Sequence, residues 1–447
     1  MVKELVAERE NPPLCFIHSF GCQQNVSDGE KILGLLCEMG YGVTEDLTSA
    51  DLIIYNTCAV REGAELKVYS LVGNLKKLKE KKPELIIGLC GCMAQQEKTV
   101  EKIRKSYRYV DIVFGTFALQ ELPKLLHKAL TERKLAVDIT EYDTKFPEDI
   151  RPVRTGTVKA SVPVMYGCNN FCSYCIVPYV RGRERSRAPE AVLAEVKELA
   201  DSGCKEIMLL GQNVNSYGKN LDDPVSFSEL LRRINEIEGD FKIRFMSPHP
   251  KDATKEFIDT IIECEKVCKH LHLPLQSGSD RILEAMNRRY TAEKYLETVD
   301  YARSRIPDFS FSTDIIVGFP NETAEDFADT IKMVKRVKYD NIFSFIYSKR
   351  TGTKAALIED AVSDEEKKAR IKELLDVQRN ISSEGFKRFI GRTLTVLFDS
   401  AGDNGMCSGK SDEFIIVEAK ADVSVIGNRK QVKITKAFNW ALQGEII

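Results

Sequence analysis

Cys168, Cys172 and Cys175 stand in the stretch Tyr166-Gly-Cys-Asn-Asn-Phe-Cys-Ser-Tyr-Cys175, a C-x3-C-x2-C triplet with an aromatic residue before its last cysteine. Three thiolates on one short loop can hold three irons of a 4Fe-4S cluster, whereas a cluster that only carries electrons takes four protein ligands. The fourth iron then stays open to a small chelating molecule. A structural zinc site instead closes as a tetrahedron with a fourth Cys or His. The next cysteine is Cys204, and only Cys172 and Cys175 form a C-x2-C pair. Ligand count and spacing therefore favour iron and sulfide over zinc.

Three more cysteines follow strand-like runs. Cys22 lies in Phe20-Gly-Cys-Gln-Gln-Asn25, Cys58 in Asn56-Thr-Cys-Ala-Val-Arg-Glu62 and Cys92 in Gly91-Cys-Met-Ala-Gln95. The runs before them, 14–19, 51–57 and 84–91, alternate with helical patterns, as does 110–115, which predicts βαβ units and a parallel sheet. Ligands collect outside the carboxyl ends of such strands, so three cysteines distant in sequence are expected to converge on one further three-thiolate site. The bland alternative, a small buried hydrophobe, suits Cys15, Cys37 and Cys90.

The elements that must position the triplet form a second βα series. Strands are expected at 159–165, 206–211, 242–247, 270–275, 310–317 and 341–347, with the triplet directly after the first. Six such units predict a partial (β/α)6 barrel with its site at the carboxyl ends of the strands. A long polar helix over 363–389 precedes short alternating runs at 393–398, 414–417, 431–435 and 440–446, punctuated by glycines, which predict a small antiparallel β-barrel. The fold class is α/β. The expected domains are 1–137, a linker over 138–156 where Asp143, Lys145, Pro147 and Pro152 break periodicity, 157–380 and 381–447.

The 447 residues exceed one ordinary domain, at about 150 residues each. A net charge of -2 excludes a general polycation, so any nucleic acid must be held by local basic patches. Thirteen cysteines beside an N-terminus without an apolar core suggest a reducing, cytoplasmic setting, and no apolar run is long enough to span a bilayer.

Taken together, the segments 21–25, 56–62, 91–95, the triplet and the terminal β-module resemble the radical SAM methylthiotransferases from about residue 14 to 447. The resemblance implies a methylthiotransferase domain, a radical SAM core and an RNA-binding TRAM domain. It implies two 4Fe-4S clusters, an auxiliary one on Cys22, Cys58 and Cys92 and one that cleaves S-adenosylmethionine (SAM) on Cys168, Cys172 and Cys175. Cys90 is a rival to Cys92, which occupies the family's Gly-Cys-x-Ala-Gln position. The loop 56–62 is similar to the tRNA branch, whose members insert a methylthio group at C2 of N6-isopentenyladenosine 37. The implied partners are the anticodon stem-loop of tRNA and an electron donor such as flavodoxin or ferredoxin, with no membrane. Alternatives are a relative acting on threonylcarbamoyl-adenosine tRNA or a ribosomal protein, and a non-enzymatic metal-containing RNA-binding protein.

C2 of adenine carries an unreactive ring hydrogen that no side-chain base can remove, so no catalytic acid or base is expected and a radical is required, supplied by the cofactor. One SAM is expected to methylate cluster-bound sulfur and a second to give the 5'-deoxyadenosyl radical, both clusters facing one cavity. Polar loops at strand ends offer Tyr174, Gln212, Asn213, Gln276 and Ser277 as SAM contacts, although glycine and serine are also ordinary turn residues. His249, His270 and His272 read as hydrogen-bonded structural histidines. Arg181, Arg183, Arg185 and Arg187 form a basic run expected to meet RNA phosphates, with Lys349, Arg350 and Lys410 as weaker candidates. Phe343, Phe345 or Tyr347 could stack on a splayed base, or belong to a strand core.

Overall fold

The computed structural model describes residues 2–8, 10–59, 62–141, 148, 150–154, 156 and 158–447, apart from the side chains of 62–64 and 404. Val60 and Arg61 of the second cysteine motif, and Asp143, Lys145 and Pro147 of the expected linker, lie outside the described residues. The chain forms two compact units, Met1–Thr155 with Tyr166–Asn169 and Cys175–Arg185, and Gly156–Met165 with Asn170–Tyr174 and Ser186–Ile447.

In the first unit, Leu14–Ser19, Gly42–Val43, Leu52–Thr57, Ile86–Gly91, Ile112–Phe114 and Ala136–Asp138 form a six-stranded parallel sheet. Leu52–Thr57 and Ile86–Gly91 are buried at every residue, as near-continuous apolar runs require when helices cover both faces. One face packs Cys15, Ile54, Cys90 and Phe114, the other Ile53, Tyr55, Ile87 and Val113. Leu14–Ser19 and Ile86–Gly91 flank Leu52–Thr57 in parallel register, so the three cysteine-bearing ends emerge side by side. The expected boundary after residue 137 falls inside the edge strand Ala136–Asp138, too short and too polar at its flanks to read as a strand.

In the second unit, Lys159–Pro163, Glu206–Leu210 and Lys242–Phe245 form one parallel arc, and His270–His272, Ser310–Val317 and Asn341–Ile346 another. An isolated parallel bridge pairs Ile243 with Val267, just ahead of His270–His272, and the two parallel arcs take the six strands in sequence order, as the pattern predicts. Ser226, Thr254, Ser279, Thr291 and Thr323 each accept an amide hydrogen bond at a helix start, which places the helices that follow the strand-end loops. The polar helix runs Asp364–Phe386, so the expected boundary at 381 falls within it.

The C-terminal module is a closed barrel of five strands, Thr393–Ala401, Met406–Ser411, Ile416–Lys420, Arg429–Ala437 and Leu442–Ile446. Met406–Ser411 escapes the sequence pattern because its inward residues are Cys407, Gly409 and Ser411. A β-carbon on Gly409 would lie 2.1 Å from the Leu397 carbonyl oxygen, so the barrel interior has room only for glycine there.

Candidate cluster-binding sites

Cys22 is exposed at the N-cap of the helix Gln23–Glu38, where the helix dipole favours an anion. Cys58 and Cys92 follow their strands directly and are buried. Gly21 adopts φ +97° and comes so close to Cys58 that a β-carbon would lie 2.6 Å from its Sγ. Asn25 ties the edge together, its Nδ2 donating to the carbonyls of Phe20 at 2.8 Å and Thr57 at 2.9 Å. The three cysteines thus share one sheet edge, although among the described residues no three His, Cys, Asp or Glu side chains are gathered as a ready metal cage.

Cys90 and Cys92 are separated by the alternation of the strand. Cys90 packs in the core with Ile54 and Phe114, whereas Cys92 lies with Ala59, Ile176 and Val180 beyond the strand end. Of the two, Cys92 is the one placed at the sheet edge.

The triplet loop is held from both sides. Cys168 N donates to Gly182 O at 3.1 Å, and Gly167, at φ +78°, leaves no space for a side chain beside the Arg183 carbonyl. Asn287 Nδ2 donates to the carbonyls of Asn170 and Phe171, both at 3.0 Å. Ser173 Oγ donates to Ala285 O at 2.8 Å. Cys168 and Cys172 are buried and Cys175 is half-buried.

Burial pushes the Cys92 thiol up to about 12, with Arg181 pulling the other way. Such a thiol stays protonated at neutral pH unless a cation replaces the proton, as iron does when it binds. Two of the six sulfurs also receive a guanidinium: Arg181 Nε donates to Cys92 Sγ at 3.2 Å, and an Arg288 terminal nitrogen to Cys172 Sγ at 3.4 Å. Buried, permanently charged donors aimed at sulfur suit thiolates that carry negative charge. The donor set fits iron-sulfur clusters.

The basic run is not one solvated face. Arg181 and Arg187 are 4% and 6% exposed, the first bound to Asn25 and Asp28, the second to Pro163 O and Glu195. Arg185 lies over the Phe117 ring at 5.0 Å, and Arg183 is exposed. The run does not continue as one strand: Arg181 ends the helix Val177–Arg181, Gly182 turns the chain at φ +74°, and only Arg185–Ser186 is extended, so the four arginines meet different surroundings.

The proposed SAM residues all occupy strand-end loops of the second unit. Asn213 is buried, with Nδ2 3.4 Å from Asp252 Oδ2, and Gln212 is half-buried. Gln276 takes the left-handed conformation at φ +69°. Ser277 is fully buried, its hydroxyl bonded to Thr330 at 3.3 Å and to the Ser279 amide at 3.2 Å, which makes it a turn-holding residue. Tyr174 packs against Met286 and Phe319.

The histidines behave as expected. His270 Nε2 and His272 Nδ1 meet Ser312 Oγ at 2.8 and 2.9 Å, and His249 Nδ1 accepts from Lys251 N at 3.2 Å. Sequence reasoning passed over Arg288, and over Phe438 and Trp440 of the terminal barrel, stacked at 6.4 Å and 41% and 56% exposed. Exposed paired aromatics in Phe438-Asn-Trp440 were a legible signal; nothing local marks Arg288.

Family descriptions match three stretches: the Radical SAM superfamily at 162–334, the Uncharacterized protein family UPF0004 at 14–115 and the TRAM domain at 387–447. The chain is 49% identical over 452 residues to the tRNA-2-methylthio-N(6)-dimethylallyladenosine synthase of Acetivibrio thermocellus, covering 100% of this chain and 94% of that protein. It belongs to that family of radical SAM methylthiotransferases. The synthase of Clostridium tetani is 48% identical over 447 residues, covering 100% of this chain and 99% of its own length. Among solved structures, the radical SAM methyltransferase TsrM from Kitasatospora setae matches 77% of this chain and 75% of its own with a TM-score of 0.56 at 14% identity, a likeness of fold alone. Family membership brings SAM and a 4Fe-4S cluster with the radical SAM domain. Among the described residues no helix is long and apolar enough to cross a membrane.

Proposed function

We propose that this chain is the cytoplasmic enzyme that inserts a methylthio group at C2 of N6-isopentenyladenosine 37 in tRNA. The observation that carries the reading is 49% identity to a synthase of that name across the whole of this chain. Cys168, Cys172 and Cys175 hold the SAM-cleaving cluster, and Cys22, Cys58 and Cys92 hold a second, auxiliary cluster. When bound, these groups supply the radical chemistry that no side-chain acid or base can provide.

The protein's own residues position and exclude. Gly21, Asn25 and Asn56 keep the sheet edge compact around Cys58 and Cys92. Asn287 and Ser173 fix the triplet loop, and Arg288 braces Cys172 against the Pro274 carbonyl, to which it also donates at 2.9 Å. Gln212, Asn213, Gln276 and Tyr174 are the candidate SAM contacts, with Ser277 shaping the loop. The anticodon stem-loop is met by exposed Arg183 and by the terminal barrel, where Trp440 and Phe438 stand open. A flavodoxin or ferredoxin donates electrons.

The test is anaerobic reconstitution, followed by incubation with SAM, reductant and tRNA bearing N6-isopentenyladenosine. Nucleoside mass spectrometry is expected to show the 2-methylthio product. Product only from threonylcarbamoyl-adenosine tRNA, or only on a ribosomal protein, would overturn the substrate assignment.

A further inference from the structure

We infer that Arg181 is a positioning residue that sets the reduction potential of the auxiliary cluster, by donating Nε–H to the Cys92 sulfur while Asp28 balances its charge. The inference rests on Cys92 being an iron ligand. Arg181 ends the helix Val177–Arg181 and is 4% exposed. Its Nε is 3.2 Å from Cys92 Sγ, and one terminal nitrogen is 2.7 Å from both Asn25 Oδ1 and Asp28 Oδ2. Asp28 is oriented in turn by Gln24 Nε2 and the Tyr166 hydroxyl, each 3.1 Å from Oδ1.

An arginine needed only to neutralise Asp28 would be satisfied by a bidentate carboxylate pair. Here the fork is divided, with one edge given to the carboxylate and the amide oxygen and Nε aimed at sulfur. Reduction adds an electron to the cluster, and a donor beside a coordinating sulfur stabilises the more negative state, which raises the potential. Asp28 opposes that effect. The pair is therefore a setting with two opposed controls. The same geometry withdraws Arg181 from RNA contact.

The experiment uses the full chain with Cys168, Cys172 and Cys175 replaced by alanine, so that only the auxiliary cluster is bound, and reads its midpoint by a redox titration followed by electron paramagnetic resonance. R181Q should keep iron and sulfide but shift the midpoint to more negative potential, D28N should shift it to more positive potential, and R181K should lie between R181Q and the parent. Midpoints that do not move, or that move in the same direction for R181Q and D28N, would overturn the inference. So would an unmoved midpoint accompanied by loss of tRNA affinity in R181Q, which returns Arg181 to the RNA surface. If R181Q fails to hold iron, the D28N shift and the R181K midpoint decide. C92A in the same background separates the two levels: full iron retention there sinks the ligand assignment itself, whereas iron loss in C92A with unmoved arginine variants sinks only the role of Arg181.

Discussion

Gly21 and Cys58 are in near contact at the ends of adjacent parallel strands, with the place of a Gly21 β-carbon 2.4 Å from the Cys58 β-carbon. Gly21 also sits at φ +97°, where a side chain is strained whatever the space. Gly21→Ala is therefore expected to cost about 1–3 kcal/mol and to push the Cys58 thiol out of line. Iron and sulfide analysis after anaerobic reconstitution should fall from two clusters to one. Full cluster content in the variant would mean that Cys58 is not held where a cluster needs it.

Cys90 and Cys92 offer a paired test two residues apart. Cys90→Ala removes a core sulfur beside Ile54 and Phe114, with an expected loss of about 1 kcal/mol in stability and an intact auxiliary cluster. Cys92→Ala should lose that cluster and all methylthio transfer. The reverse pattern, iron lost with Cys90 and kept with Cys92, would reassign the ligand.

Much of this was legible in the chain because two of the three strands ahead of the edge cysteines are buried on both faces. Leu52–Tyr55 and Ile86–Cys90 read as apolar runs, and Cys58 and Cys92 follow their strands directly. Met406–Ser411 was not legible, since a barrel wall of Cys407, Gly409 and Ser411 presents small residues instead of branched ones. The arginine run misled for a related reason. Charge type is visible in sequence, but only the fold shows that Arg181 faces Cys92 and Asp28 while Arg183 faces water. Arg288 lies 116 positions from Cys172, and no local pattern joins them.

Trp440 and Phe438 make an open aromatic platform on the terminal barrel, and Trp440 is the single tryptophan of the chain. Exposed Lys433 and Lys436 lie on the strand leading to it. Trp440→Ala should weaken tRNA binding by about 1–3 kcal/mol, the range for one stacked base, with stability within about 0.5 kcal/mol of the parent. Lys433→Ala should instead lower the slope of log affinity against log salt by about one. Intrinsic fluorescence provides a direct readout, as a base stacked on Trp440 quenches it. Unchanged fluorescence on adding tRNA, with unchanged affinity in Trp440→Ala, would remove the platform from the interface.

Two buried histidines give the fold a pH dependence of defined sign. Burial pushes His249 and His270 well below the ordinary histidine value, helped at His249 by Arg288 and at His270 by Arg244. The folded protein therefore keeps both neutral, while the unfolded chain protonates them below about pH 6.5. The stabilisation is fully present above that pH and is lost as pH falls, by up to about 1.4 kcal/mol per pH unit for each histidine. His270→Asn removes one of the two groups, so the difference in unfolding free energy between parent and variant should shrink steadily from pH 7 to pH 5. Urea unfolding at each pH measures it, and parallel curves for parent and variant would show that His270 takes up its proton in the folded state after all.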